Sequence, residues 1–136
     1  MTSPAALLAR SRLIAVVGMS SHPEKEAHQV PVQLLRHGWT IIPVNPHAAT
    51  IAGQRVYRKL ADIPVPVDLV NVFRPSAQAA DVVRQAADIG APAVWLQLGI
   101  VSAEGRAIAE SAGMDYVEDT CVAVVRAAYE VAGPTP

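Results

Sequence analysis

The sequence alternates short runs of apolar residues with longer amphipathic segments, and this alternation limits the chain to few folds. The apolar runs show little polar alternation, which is typical of strands buried on both faces. They lie at Leu13–Val17, Trp39–Val44, Val67–Phe73, Ala93–Leu98 and, as a short fifth candidate, Asp115–Val117. We therefore predict a sheet that is covered by helices on both sides.

Four amphipathic segments predict helices between or after these strands. Apolar residues recur in them at helical spacing, and glycine follows three of them as a stop. The segments are Val30–Leu35 before Gly38, the stretch from Ser76 as N-cap to Gly90, the stretch from Ser102 as N-cap to Gly113, and the tail Val122–Val131. Strand–helix alternation with short connections indicates parallel strands joined by right-handed crossovers. The predicted architecture is one three-layer α/β/α domain over residues 1–136.

The helix after the first strand has two possible starts. The segment Ser21–Glu24 resembles a capping box, but a helix beginning there would carry Pro31 in its interior, at a cost of about 3 kcal/mol. Proline is tolerated in a helix's first turn, so we expect the helix to begin near Ala27 or His28. An unusually long loop, Gly18–Glu26, then follows the first strand.

Composition argues against several classes of protein. The chain has 136 residues, of which 51% are hydrophobic and 17% charged. Its net charge of −1 gives no indication of binding to nucleic acid or to an anionic membrane. Cys121 is the only cysteine, which excludes a disulfide framework and a cysteine-built metal site, and the four histidines lack the spacing of paired ligands. Neither a signal peptide nor a stretch of about 20 apolar residues is evident. We expect a cytoplasmic protein without a metal site.

Candidate binding residues follow the predicted strands. Ligands of open parallel sheets bind at the carboxyl ends of the strands, where the strand order reverses. There Gly18 allows a tight turn and close approach of the backbone to a ligand. Ser20 and Ser21 offer hydroxyls and N–H groups near a helix start, Asn45 offers an amide to a ribose or purine, and Arg74 offers a fork to phosphate. Together these residues predict a site for a phosphate-bearing nucleotide.

A nicotinamide dinucleotide site is the obvious competitor. The segment Gly18–Pro23 supplies only the first glycine of the G-x-G-x-x-G fingerprint. The acidic residue that would hold the ribose at the end of the second strand is replaced by Val44-Asn45-Pro46. Both observations argue against NAD.

Several segments resemble the small CoA-binding domain proteins, the stand-alone relatives of the CoA-binding domain in the succinyl-CoA synthetase α subunit. The segments cover nearly the whole chain, in the order and spacing of the family. They are IAVVGMSSHPEK (Ile14–Lys25), GWTIIPVNP (Gly38–Pro46), GQRVYRKLADIP (Gly53–Pro64), VDLVNVFRP (Val67–Pro75), VWLQLGI (Val94–Ile100) and AGMDYVEDTC (Ala112–Cys121). The resemblance implies a doubly wound, Rossmann-like parallel sheet and coenzyme A as the ligand.

The resemblance also implies a role for individual positions. Each set of residues is placed against one part of coenzyme A. The loop residues Gly18, Ser20, Ser21 and Lys25 would face the diphosphate, Val44, Asn45 and Pro46 the adenosine, Phe73, Arg74 and Pro75 the pantetheine and phosphates, and Gln97 and Gly99 the pantetheine arm.

The function expected from this resemblance is binding of CoA or an acyl-CoA, without catalysis. The acid–base or nucleophile candidates are Asp68, Glu118, Asp119 and Cys121, and they form no evident catalytic constellation. Cys121 has two interpretations, a small core residue or a thiol that forms a mixed disulfide with CoA. Two alternatives remain open. One is a subunit or remnant of an acyl-CoA synthetase-type enzyme, and the other is an NAD(P)-binding protein. A protein partner is not identifiable from the sequence.

Overall fold

The structure, a computed structural model, describes residues 2–134. Its elements in chain order are α1 (Pro4–Arg10), β1 (Leu13–Val17), α2 (Glu26–Arg36), β2 (Thr40–Val44), β3 (Thr50–Ile51), β4 (Gln54–Arg55), a 3₁₀ turn (Leu60–Asp62), β5 (Leu69–Val72), α3 (Ser76–Asp88), β6 (Ala93–Leu96), α4 (Ala103–Ser111), β7 (Asp115–Val117) and α5 (Val122–Ala128).

Five of the strands form one parallel sheet with the order β2-β1-β5-β6-β7. These are the five apolar runs predicted from the sequence, shortened by one or two residues at some ends. The predicted Rossmann-like fold is therefore confirmed. The strand order reverses between β1 and β5, and a ligand of such a sheet binds at the carboxyl side of this reversal.

Tyr57 extends this sheet by one further position beyond β2. It forms a parallel bridge with Val44, with its N–H donating to the Pro43 carbonyl and its own carbonyl accepting from Asn45 N–H, each at 3.0 Å. Counted as a strand, it completes the Rossmann order 3-2-1-4-5-6. The sequence did not reveal it, because a single paired residue produces no periodicity.

The two faces of the sheet are covered by different helices. On one face α1, α2 and α5 pack against a core that contains Leu7, Trp39 and Trp95. On the other face α3 and α4 pack through small residues such as Ala79 and Ala109. The helices and sheet thus form the three layers predicted from the sequence.

The glycines predicted to end three helices are confirmed, and of the two predicted N-cap serines one is confirmed. Gly38, Gly90 and Gly113 all have positive φ and follow the ends of α2, α3 and α4. Ser102 caps α4 by accepting the Gly105 N–H at 2.9 Å, as predicted. The prediction for Ser76 was wrong, because the N-cap of α3 is Pro75. The Ser76 hydroxyl instead accepts the N–H of Val101 at 3.1 Å, which ties the loop after β6 to α3.

Helix α1 and the β3–β4 hairpin were not predicted. Helix α1 has seven residues, capped by Ser3, and the β3–β4 hairpin has two residues in each strand. Both are too short for a periodic pattern to identify. Within residues 2–134, no helix is long and apolar enough to span a bilayer.

Candidate functional site

An open cleft of about 410 Å³ lies at the carboxyl edge of the sheet, over the reversal of strand order. It is bordered by the residues that follow Tyr57, β2, β1 and β5, and by the first turns of α3. Its lining consists of Val17, Gly18, Val44, Asn45, Pro46, Arg58, Lys59, Arg74, Ala77, Gln78, Asp81, Val82 and Gln85. Five of the predicted site residues therefore meet here: Gly18, Val44, Asn45, Pro46 and Arg74.

Gly18 closes the gap between the ends of β1 and β5. Its φ is +90°, and a Cβ at this position would lie 2.9 Å from the Phe73 carbonyl oxygen and 3.0 Å from Cδ of Arg74. Its N–H donates to the Val44 carbonyl at 3.0 Å. Glycine is thus required here both by conformation and by space.

The loop 18–25 is held by the start of α2. Because Pro31 has no N–H, the Ala27 carbonyl has no partner one turn ahead, and it accepts the Ser20 N–H at 3.1 Å. The Ser20 carbonyl accepts from His28 Nδ1 at 2.7 Å, and its hydroxyl accepts the His22 N–H at 3.0 Å. Ser20 is therefore occupied in fixing the loop.

This arrangement also reconciles the two possible starts of α2. The helix begins at Glu26, one or two residues before the predicted start, and the predicted long loop is present. Pro31 lies in the second turn rather than the first. Its usual penalty is reduced because the carbonyl that it leaves free has another donor.

Asn45 joins the loops after β1 and β2. Its Nδ2 donates to the Met19 carbonyl at 3.0 Å, while its Oδ1 accepts the N–H groups of His47 and Ala48 at 2.8 and 3.0 Å. The Asn45 amide thus shapes the wall of the cleft, and its contact with a ribose or purine stays a prediction.

Arg58 holds the same wall from the outside. Its Nη1 donates to the carbonyls of Asn45 and Ala48 at 3.0 and 2.6 Å, and Nη2 donates to that of His47 at 3.2 Å. Three carbonyls position the guanidinium without neutralising its charge. Neither Arg58 nor Lys59 was a predicted site residue, although a basic pair directly after Val56-Tyr57 is a signal that could have been used.

The cleft carries more positive than negative charge. Arg58, Lys59 and Arg74 line it, and within residues 2–134 none of the three forms an ion pair. Arg74 is held by Gln78, whose Oε1 accepts from its Nε at 3.0 Å. The one carboxylate among the lining residues, Asp81, accepts from Gln85 at 2.9 Å and faces Arg84 at 3.5 Å. The start of α3 adds the partial positive charge of its N-terminal N–H groups.

Comparison with known proteins identifies the family. A family model described as "CoA binding domain" matches residues 12–127. The chain belongs to the CoA-binding domain family. The Bacillus subtilis protein YneT, which is uncharacterized, is 36% identical over 121 residues, which are 89% of this chain and 90% of YneT.

The fold of this CoA-binding domain is similar to solved structures of both small and large proteins. A hypothetical protein from Pyrococcus horikoshii has 31% identity and a TM-score of 0.88, covering 93% of this chain and 92% of its own. The dinucleotide-forming acetyl-coenzyme A synthetase 1 of Ca. Korarchaeum cryptofilum has 27% identity and a TM-score of 0.73 over 86% of this chain. The match covers only 28% of that synthetase, so the fold occurs both alone and as part of a larger enzyme.

The remaining site residues implied by the resemblance to CoA-binding domains lie outside the lining of the cleft. Ser21 and Lys25 are exposed in the loop before α2, and Pro75 is exposed at the start of α3. Phe73 packs against the core that faces α2 and α5. Ser20 is in the loop described above. None of these residues lines the cleft.

Gln97 and Gly99 follow β6, farther along the same edge. Gln97 is buried, and its Oε1 accepts the Val122 N–H at 3.3 Å and an amide proton of Asn71 at 3.4 Å. The Gly99 N–H donates to Asp119 Oδ1 at 2.7 Å. Their contacts fix the start of α5 and the loop after β6.

The four side chains considered for catalysis each have a structural environment. Asp68 lies at the opposite edge, where its Oδ2 accepts the N–H groups of Arg12 and Leu13. Asp119 holds Gly99, and Cys121 is the half-buried N-cap of α5, packed against the core.

Glu118, the fourth of them, ties β7 to α4. It accepts from the Tyr116 hydroxyl at 2.8 Å and the Ser102 N–H at 3.3 Å. Burial, followed by the hydrogen bond to Glu118, raises the pKa of Tyr116 well above its usual range. In the described part of the chain, no group of three or more His, Cys, Asp or Glu side chains is arranged to hold a metal ion.

Proposed function

We propose that this protein binds coenzyme A or an acyl-CoA in the cleft at the carboxyl edge of its sheet. The observation that carries the proposal is the excess of positive charge in a cleft that spans the reversal of strand order. Arg58, Lys59 and Arg74 are available there to phosphate oxygens, and membership of the CoA-binding domain family supports CoA as the source of those phosphates.

The shape of the cleft supports the nucleotide part of CoA as its occupant. Its volume of about 410 Å³ lies within the usual range for small-molecule sites. Apolar side chains of Val17, Val44 and Val82 offer a surface for a purine ring. The pantetheine arm would extend past Gly18 toward the loop after β6.

We further propose that the protein binds its ligand without catalysing a reaction. The acid and nucleophile candidates are engaged in caps and loop contacts, and none of them lines the cleft. The alternative is a subunit of an acyl-CoA synthetase-type enzyme, which the match to part of the acetyl-coenzyme A synthetase favours. Acyl-CoA formation in a mixture of this protein with a candidate partner would support that alternative.

Calorimetric titration tests ligand choice. We expect CoA and acetyl-CoA to bind at least tenfold more tightly than NAD or NADP, because the glycine fingerprint and the acidic ribose partner of a dinucleotide site are missing. Native mass spectrometry of the purified protein should show an adduct with the mass of CoA. Equal or tighter binding of a nicotinamide nucleotide would overturn the proposal.

A further inference from the structure

We propose that Arg58 and Lys59, here called the outer cation pair, form a phosphate position separate from that of Arg74. Its ligand is a monophosphate on the ribose of the bound adenosine nucleotide. This inference rests on the proposed function, because it assigns one part of the nucleotide to one part of the same cleft.

The position of the outer cation pair follows from the extra strand position at Tyr57. Tyr57 pairs in parallel with Val44, so the residues after it emerge at the same edge as those after β2, β1 and β5. Three strand spacings separate this position from the end of β5, which is about 14 Å between backbones. Arg74 and the outer cation pair therefore lie on opposite sides of one cleft.

Cationic side chains on two opposite sides of a cleft fit a ligand that carries phosphate at two places. Arg74 lies beside the reversal of strand order and the start of α3, where a diphosphate of a nucleotide binds in this architecture. In Rossmann sheets the adenosine ribose lies at the end of the second strand, here β2, and an arginine near it accommodates a phosphate on the ribose. The outer cation pair lies one strand position beyond β2 on the same edge. A positive charge on this side of the cleft contacts a phosphate only when the ribose itself carries one.

Arg58 is preorganised for this task. Its three bonds to the carbonyls of Asn45, His47 and Ala48 use both N–H groups of Nη1 and one of Nη2. The Nε–H and the second Nη2 N–H have no acceptor among the residues that the structure describes. The guanidinium thus keeps free donors and its full charge while its position is fixed, which lowers the entropy lost on binding.

Lys59 adds a second positive charge on the same side of the cleft. Its side chain is exposed and lines the cleft, and it has no ion-pair partner in the described part of the chain. Asp81, the carboxylate of the cleft, is on α3, on the side of Arg74. Among the residues that line the cleft, none on the side of the outer cation pair carries a negative charge.

Titrations of CoA and 3′-dephospho-CoA against the wild type and Lys59→Ala test this inference. We expect the wild type to bind CoA about tenfold or more tightly than dephospho-CoA, since a charge-assisted hydrogen bond has that effect. Lys59→Ala should weaken CoA binding about tenfold and change dephospho-CoA binding less than twofold. Lys59→Gln, which keeps most of the side-chain stem, should behave in the same way.

Two control variants separate this effect from a general loss of positive charge. Arg74→Ala should weaken both ligands alike, because both carry the diphosphate. Arg36→Ala removes an exposed charge at the end of α2, which lies at the opposite edge of the sheet, and should leave both affinities unchanged. Equal losses for CoA and dephospho-CoA in Lys59→Ala would overturn the inference.

The same titrations distinguish this inference from the proposed function. Tight but equal binding of CoA and dephospho-CoA would leave the proposed function standing and overturn the outer cation pair. Preference for NADP over CoA, with NADP binding lost in Lys59→Ala, would support the pair and overturn CoA as the ligand. Adenosine 3′,5′-bisphosphate and 2′,5′-bisphosphate identify which ribose position is recognised. Absence of binding by every nucleotide would overturn both.

Discussion

At Gly18, a side chain of any size would collide with the end of β5. The collision is with backbone, the Phe73 carbonyl oxygen at 2.9 Å, which cannot move without disturbing the sheet. Gly53 also has a positive φ, of +77°, but a Cβ there would meet nothing within 4 Å. The two glycines therefore separate the cost of the backbone conformation from the cost of space.

We predict that Gly18→Ala destabilises the protein more than Gly53→Ala does. A left-handed conformation costs a non-glycine residue about 1–2 kcal/mol, which both variants should show. Overpacking against backbone should add about 1–3 kcal/mol in Gly18→Ala alone. Denaturant unfolding measures both changes, and equal losses would mean that the end of β5 yields without cost.

Single residues at strand ends were only partly interpretable from the sequence. Gly18 and Arg74 were predicted as site residues, because each follows an apolar run that indicates a buried strand. The sequence predicted a ligand contact for the Asn45 amide but not its role in joining two loops. That role depends on backbone groups, one of which is distant in sequence. Arg58 was missed because the strand before it is a single residue.

At the scale of elements, α2 and the loop before it form one unit through Pro31. In an uninterrupted helix, the N–H of residue 31 would donate to the Ala27 carbonyl. Here that carbonyl accepts from Ser20 instead, so the proline converts a helical hydrogen bond into a loop contact. The sequence showed that Pro31 was unfavourable but not what compensates for it.

We predict that Pro31→Ala loosens the loop without destabilising the helix. The new N–H competes for the Ala27 carbonyl, so the amide of Ser20 should exchange with solvent several-fold faster. The free energy of unfolding should stay equal or rise, because alanine favours the helix. Amide hydrogen exchange by NMR measures the effect, with Gln33→Ala as a control in the same helix. Unchanged exchange at Ser20 would show that the carbonyl accepts both donors.

The strands and the helix ends illustrate what sequence patterns can determine. Five continuous apolar runs predicted five buried strands, and glycines predicted three helix ends, because both signals are local. The strand order depends on crossovers that the local pattern does not encode. The hairpin β3–β4, with only two residues in each strand, falls below the length at which a pattern exists.

Across the whole molecule, charge is distributed unevenly. The chain has a net charge of −1, yet the cleft at the carboxyl edge of its sheet is lined by three cationic side chains and one carboxylate. That carboxylate, Asp81, is exposed on the second turn of α3. Its charge opposes the binding of an anion, and because it is exposed the effect is reduced by salt.

We predict that Asp81→Asn strengthens CoA binding about two- to fivefold at low ionic strength. Asparagine keeps an oxygen acceptor for Gln85 and removes the negative charge, so the change is mainly electrostatic. The gain should shrink toward zero as the ionic strength approaches 1 M, where the screening length is about 3 Å. Titrations of CoA at several salt concentrations measure this dependence.

Asp88→Asn is the matched control for this prediction. Asp88 is an exposed residue of the same helix and undergoes the same charge change, but it lies seven residues further along, about 10 Å from Asp81. It does not line the cleft. We expect less than half the effect of Asp81→Asn, because the distance approaches the screening length at moderate salt. Equal gains from both variants would mean that CoA responds to the overall charge of the protein, and that its phosphates are not held in this cleft.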